Sequence, residues 1–268
     1  MKLTILGSGG ATPTPRPFCQ CAVCVKARKL GGSYQRNSSS LFIENSKTVI
    51  DCGEDIANSL NRANIKQVNN LLITHWHPDH TFGFRHILES NYDFRTGKAQ
   101  KQINLYVPRK VFEILLQKHP TIEYQLHTQK TAVLHLIEDG DVLDFEGTKI
   151  TVVGYKGQES ETYAYLIEAD GKRVLYAPCD TISFDRYINY VGLDLLINEC
   201  GLFISLAGEI SFNELISRVK EIQPKKTILT HIEEIEINAM GPSYLRKIKK
   251  KYKSLNLDFA YDGMIINV

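Results

Sequence analysis

The chain has 268 residues, 43% hydrophobic and 23% charged, with a formal net charge of +2. That length supplies ample apolar material for a sizeable core, in one large α/β domain or two small ones. The near-neutral charge offers no bulk electrostatic case for nucleic-acid or membrane partners.

In chain order, MKLTILGSGG carries one lysine and a short apolar run before glycine, too little for a signal peptide. No apolar run approaches a membrane span, so a cytoplasmic location is the default expectation. KLTIL predicts a strand. GSGG lacks the Gly-Lys-Ser/Thr ending of a phosphate loop, and Pro13, Pro15 and Pro17 forbid an immediate helix, which leaves a tight turn. CQCAVC then places Cys19, Cys21 and Cys24 within six residues. In a reduced cytosol six cysteines are thiols or metal ligands rather than a disulfide framework. Three close thiolates favour a structural zinc that needs a fourth ligand. Arg36, in YQRNSSSLFI, has the planar fork that suits a phosphate, with a surface salt bridge or a turn as equal alternatives.

SLFIE, TVID, NLLITH, INLYV, KITVVGY, YAYLIE, RVLYA, DLLIN, KTILTH and MIINV are short β-branched runs bounded by turn residues, as strands should be. EDIANSLNRANI, RKVFEILLQKH, SFNELISRVKEI and GPSYLRKIKKKYKSL show helical spacing, the last with its basic residues on a solvated face. Ser211 and Glu214 form a capping box. The polar segment 90–102 reads as a mobile loop able to reach over a site. Many strands with helices before, between and after them predict two packed sheets covered by helices, with chemistry on loops at strand ends. Cys52, Cys179 and Cys200 adjoin strand sequence and read as buried thiols, Cys179 standing beside Asp180.

THWHPDH, residues 74–80, spends three of the eight histidines in one stretch. Extended backbone sends His75 and His77 to one side. Pro78 ends the strand and suits a first helical position, so Asp79 and His80 follow a new trajectory. The stretch offers two imidazoles to one metal and a carboxylate plus an imidazole to another. Two ions roughly 3.5–4 Å apart would clamp a hydrolytic centre. Asp180 and His231, each after an apolar strand, are the further ligand candidates.

On LTILGSGGATPTP, TVIDCGED, THWHPDH, LYAPCDT, LTHIEE and AYDGMIINV, the chain resembles the metallo-β-lactamase superfamily of hydrolases along nearly its full length. The resemblance implies a four-layer αββα sandwich forming one domain over residues 1–268, with the cysteine insertion at about 17–30. It implies two active-site divalent ions, zinc or manganese. His75 and His77 would hold the first and Asp79, His80 and His231 the second, with Asp180 bridging and Asp51 as a supporting acid. Asp79 and Asp180 would be the catalytic carboxylates. The family's further histidine for the first metal has no counterpart in GYKGQESETYAYLIE. Spacing puts Gln158 there as the replacement ligand, with Glu159 and Glu161 nearby and His127 and His135 too far upstream. His75, His77 and Asp180 with water remain a workable set, and an oxygen donor would favour harder ions such as Mn²⁺.

The C-x-C-x-x-C insertion is similar to that of phosphoribosyl 1,2-cyclic phosphate phosphodiesterases of carbon–phosphorus lyase pathways, and to the group containing coenzyme PQQ biosynthesis protein B. There a histidine completes the structural zinc; the matching position here is Glu234, with water as the alternative. The activity implied is hydrolysis of a small, cyclic phosphate ester by a metal-activated hydroxide. The alternatives are a non-hydrolytic metal-binding protein like PQQ protein B and an RNA or cyclic-nucleotide phosphodiesterase. The expected partner is a small phosphate ester, with no membrane, nucleic acid disfavoured, and a homodimer compatible with the reading.

Overall fold

The computed structural model describes residues 1–204 and 210–268, and of 234–240 the backbone alone. The first part of the chain forms Lys2–Gly7 (β1), Ser40–Ile43 (β2), Thr48–Ile50 (β3), Asn70–Leu72 (β4), the short hairpin Tyr92–Asp93 (β5) and Lys98–Ala99 (β6), Ile103–Pro108 (β7) and Ala132–Ile137 (β8). The second part forms Val142–Phe145 (β9), Thr148–Lys156 (β10), Glu161–Ala169 (β11), Lys172–Ala177 (β12), Leu195–Glu199 (β13), Thr227–Thr230 (β14), Leu257–Phe259 (β15) and Ile265–Asn267 (β16). Two seven-stranded sheets result, ordered β16-β1-β2-β3-β4-β7-β8 and β15-β14-β13-β12-β11-β10-β9. Each has an antiparallel part and a parallel part, the latter running β3-β4-β7-β8 in the first sheet and β12-β13-β14-β15 in the second.

Strand alternation assigns each side chain to a layer. Along β11, Tyr163, Tyr165 and Ile167 enter the core between the sheets, together with Ile5, Ile50 and Leu72 of the first sheet. Ala164 and Leu166 face the other way, onto Phe212–Ile222 (α7 below), whose Leu215, Ile216 and Val219 are buried. β3, β4, β13 and β14 are buried throughout, as parallel strands covered on both faces should be.

The helices are Ala22–Leu30 (α1), Ile56–Arg62 (α2), Pro78–Thr81 (α3), Phe84–Leu88 (α4), Arg109–Lys118 (α5), Thr121–Glu123 (α6), Phe212–Ile222 (α7) and Glu234–Lys251 (α8), the last interrupted by Gly241 at φ 62°. α2, α4 and α5 contribute Ile56, Ile87, Val111 and Leu115 to the first sheet's side of the core. The order is therefore helix, sheet, sheet, helix, the four-layer αββα arrangement. Ser211 caps α7, its Oγ accepting from Glu214 N at 3.2 Å. At the start of α1 the Cys21 sulfur accepts from Cys24 N at 3.2 Å, so the cysteine run is itself a helix start.

Two local expectations need correction. The 90–102 segment is not a plain loop: Tyr92–Ala99 and Asp93–Lys98 pair as a small hairpin. GSGG is not a tight turn. Gly9 bridges both Ser38 and Ile232, and a Cβ on Gly7 would sit 1.9 Å from Ser38 O. The glycines let β1 leave the sheet pressed between two backbone segments.

Candidate metal centre

The site lies where the two parallel regions end. Asp51 follows β3, residues 74–80 follow β4, Asp180 follows β12 and His231 follows β14. Asp51, Asp180 and His231 have φ of 64°, 54° and 50°. This left-handed backbone is uncommon outside glycine and concentrates at functional sites. At each place it breaks the strand at once and turns the side chain toward the gap between the sheets. Pro78 at the first position of α3 does the same for Asp79 and His80.

Two sets of ligand atoms converge, each within 4.8 Å: His75, His77 and Asp180, and Asp79, His80 and His231. A carboxylate or hydroxyl fixes the tautomer of three of these imidazoles. Asp51 is fully buried and accepts from Thr74 N at 2.8 Å, Thr74 Oγ1 at 2.8 Å and His80 Nδ1 at 2.7 Å. With the Thr74 hydroxyl proton spent on Asp51, its oxygen takes a hydrogen bond from His75 Nδ1 at 3.0 Å. His231 Nδ1 lies 3.1 Å from Glu233 Oε1. The three Nε2 atoms are thereby left as lone pairs aimed inward, the pattern of metal-binding histidine with an oriented outer nitrogen.

The buried Nε2 atoms of His80 and His231 have no hydrogen-bond partner, although both lie near Asp79 Oδ2, at 3.2 and 3.4 Å. Orphaned buried imidazole nitrogens facing a carboxylate are costly unless a cation joins them. His75 Nε2 and His77 Nδ1 face each other at 3.0 Å. The nitrogen and oxygen donors present fit divalent metal ions.

The electrostatics favour positive charge in the second ligand set. Burial alone would raise the Asp79 carboxyl, but the adjacent His80 and His231 hold it well below the usual carboxylate range. Burial pushes His75 well below its ordinary value, helped by His80 and His77. For His80, burial is outweighed by the carboxylates of Asp79 and Asp51, which raise it well above normal. His231 is raised likewise against burial, by Cys179, Asp79 and Glu233.

Several supports carried no sequence signal. Glu199, at the end of β13, accepts from Thr181 N and so secures the turn that holds Asp180. Tyr155 donates from its hydroxyl to Cys179 O at 2.6 Å. Glu233 was hidden in the HIEE that drew attention to its neighbour. The Cys179 sulfur itself joins His75 and His80 in a third buried group within 4.8 Å.

Other sequence candidates fall elsewhere. Arg36 is no surface residue: it is 3% exposed, and its guanidinium donates to Ser8 Oγ and Ala260 O, both at 2.7 Å. Gln158 is exposed and brings its backbone N–H to Asp180 Oδ2 at 3.4 Å. Glu159 comes within 3.7 Å of His77 Nε2. Glu161 pairs instead with Lys110 and the Tyr163 hydroxyl. His135 is stacked on Tyr106 and bonded to Asn104 in β7, away from the centre. His127 lies in the turn after α6. Cys19, Cys21 and Cys24 bring their sulfurs within 4.8 Å of one another. The side chain of Glu234, their suggested companion, lies outside the described residues.

Comparison with known proteins places these features in context. The profile of the beta-lactamase superfamily domain matches residues 47–232. A ribonuclease Z from Archaeoglobus fulgidus is 23% identical over 156 residues, 56% of this chain and 42% of that one. The chain spans roughly half or less of the length of the first curated relatives it matches. Among solved structures, a diphosphatase from the PhnP family superposes with TM-score 0.79 at 22% identity, over 100% of this chain and 97% of that one. Zn²⁺-bound PqqB from Methylobacterium extorquens superposes with TM-score 0.79 at 18% identity, over 100% of both chains. At these identities the structural likeness concerns the fold.

Proposed function

This chain belongs to the beta-lactamase superfamily, and on that premise we propose that it is a metal-dependent phosphodiesterase acting on a small phosphate ester. The observation that carries the reading is the pair of ligand sets, His75–His77–Asp180 and Asp79–His80–His231, meeting at the strand ends. Divalent ions held there supply a water activated at neutral pH and positive charge for the phosphoryl oxygens. Asp51, Thr74 and Glu233 orient the imidazoles so that their Nε2 lone pairs face the substrate space. Asp79, whose Oδ2 faces His80 and His231 at 3.2 and 3.4 Å, is the carboxylate placed to relay a proton to the leaving oxygen. Asp180 faces the first set and aligns the attack.

The names of similar proteins, a diphosphatase and ribonuclease Z, point to phosphorus chemistry, and the cysteine triad favours a small cyclic ester over a polynucleotide. A net charge of +2 gives little attraction for an RNA backbone. No helix among the described residues is long and apolar enough to cross a membrane, and six cysteines joined by no disulfide suit a reduced compartment such as the cytoplasm.

The test is a rate comparison among a cyclic ribose phosphate, bis(p-nitrophenyl) phosphate and a tRNA precursor with a 3′ trailer, with zinc or manganese added. The reading expects the small esters to be cleaved with the higher kcat/KM. Cleavage of the RNA alone would replace it with the nuclease reading, and no cleavage of any would favour the non-hydrolytic one.

A further inference from the structure

The first ligand set lacks the histidine its family pattern leads one to expect, yet a buried donor stands beside it. Cys179 is 7% exposed, and its sulfur lies within 4.8 Å of ligand nitrogens of His75 and His80. His75 belongs to the first set and His80 and His231 to the second, so the sulfur sits on the seam between the two. The unpartnered Nε2 atoms of His80 and His231 are fully buried and aimed into the same space.

The backbone holds the sulfur there. Tyr155 OH bonds to Cys179 O at 2.6 Å, Glu199 binds the N–H of Thr181, and Asp180 between them is in left-handed backbone at φ 54°. Three fixed points within three residues leave Cys179 little freedom to turn away. Tyr155 and Glu199 are themselves buried, on β10 and β13 of the same sheet. Cys52 and Cys200 are also buried thiols, but neither sulfur joins a histidine group of this kind among the described residues.

We propose that Cys179 is a thiolate ligand of the metal pair, binding between the two sites and compensating for the missing histidine. This rests on the metal-centre reading above and changes its metal preference. Cys179 gives up its thiol proton to solvent on ligation and contributes a soft, charged donor. Soft thiolate ligation selects zinc or cobalt over manganese, the reverse of what an oxygen donor from the 157–161 stretch would favour. Glu159, whose carboxylate is the nearest oxygen candidate, lies on an exposed turn and approaches His77 alone, at 3.7 Å.

The experiment loads the metal-free full chain with cobalt and reads thiolate-to-cobalt charge-transfer absorption, in wild type, Cys179→Ser, Cys179→Ala and His80→Ala. Cys19, Cys21 and Cys24 would supply the other three thiolates, so either Cys179 variant should lose about a quarter of the band or more. Zinc-over-manganese uptake from an equimolar mixture should fall by about tenfold in the same variants. Circular dichroism checks that at least one of the two folds. If His80→Ala lowers the cobalt count while both Cys179 variants keep the wild-type band and preference, the thiolate assignment is overturned and the metal centre stands. If His80→Ala leaves the cobalt count unchanged, the histidine cluster holds no metal, and both fall.

Discussion

His80 donates from Nδ1 to Asp51 Oδ2 at 2.7 Å, with both side chains fully buried. Asp51 spends its other contacts on Thr74, so one carboxylate sets the loop and the tautomer of a ligand together. Asp51→Asn keeps the shape but presents an amide that can donate toward Nδ1. His80 then loses the fixed tautomer that frees Nε2. The expected result is a loss of metal affinity of about 10–100-fold, read by titration with a chelating indicator, with hydrolysis restored only by excess metal.

Asp180→Ala should reduce phosphodiester hydrolysis by at least about 10³-fold, since charge stabilisation by a metal pair is worth several kcal/mol. Asp180→Asn tolerates the left-handed backbone better and separates lost chemistry from lost stability. Steady-state rates and melting temperatures of the two variants give the comparison. Near-wild-type turnover in either would remove Asp180 from the reaction.

Gly7 and Gly10 make a paired prediction. A Cβ on Gly7 meets Ser38 backbone oxygen at 1.9 Å, whereas one on Gly10 meets the end of the Glu233 side chain at 2.1 Å. Backbone cannot yield, so Gly7→Ala should destabilise by about 2–3 kcal/mol. Glu233 can swing aside, so Gly10→Ala should cost under about 1 kcal/mol. It should nonetheless weaken metal binding about tenfold by releasing His231 Nδ1. Urea melts and metal titrations on both variants test the contrast.

Far from the site, the Asp194 carboxyl is held down to about 2 by Lys225, by the N–H of Arg173 and by Lys172. A carboxylate whose folded pKa lies below its unfolded 3.8 adds stability that is fully present above that value and vanishes as pH falls through the folded pKa. Its lysine partners are solvent-exposed, which limits the contribution to about 1 kcal/mol. Asp194→Asn should therefore melt about 2–4 °C lower at neutral pH, with the gap closing between about pH 4 and pH 2. A gap that widens on acidification would contradict the assignment.

The cluster at 74–80 was legible because its chemistry is local: spacing alone brought His75 and His77 together and turned Asp79 and His80 at Pro78. Asp180 and His231 were legible because each ends an apolar strand, whereas Asp51 was implied only by the family resemblance. What stayed hidden depends on partners distant in sequence. Glu199 is 18 residues from the amide it holds, Tyr155 is 24 from Cys179, and Arg36 is 224 from Ala260. Nothing in YQRNSSS says that its arginine turns inward. The strands missed are β8, β9 and β15. β9 pairs on one side at a sheet edge and has no fully buried residue, so its apolar pattern is faint. The hairpin at 92–99 escaped for the same reason, being polar and two residues per strand.

The most direct test is metal content by elemental analysis, paired with hydrolysis of bis(p-nitrophenyl) phosphate by the same samples before and after chelation. A dinuclear phosphodiesterase should carry about three ions per chain, two in the histidine cluster and one at the cysteines. Turnover should be lost on chelation and return with zinc. One cysteine-bound ion per chain, with no turnover under any metal, would contradict it.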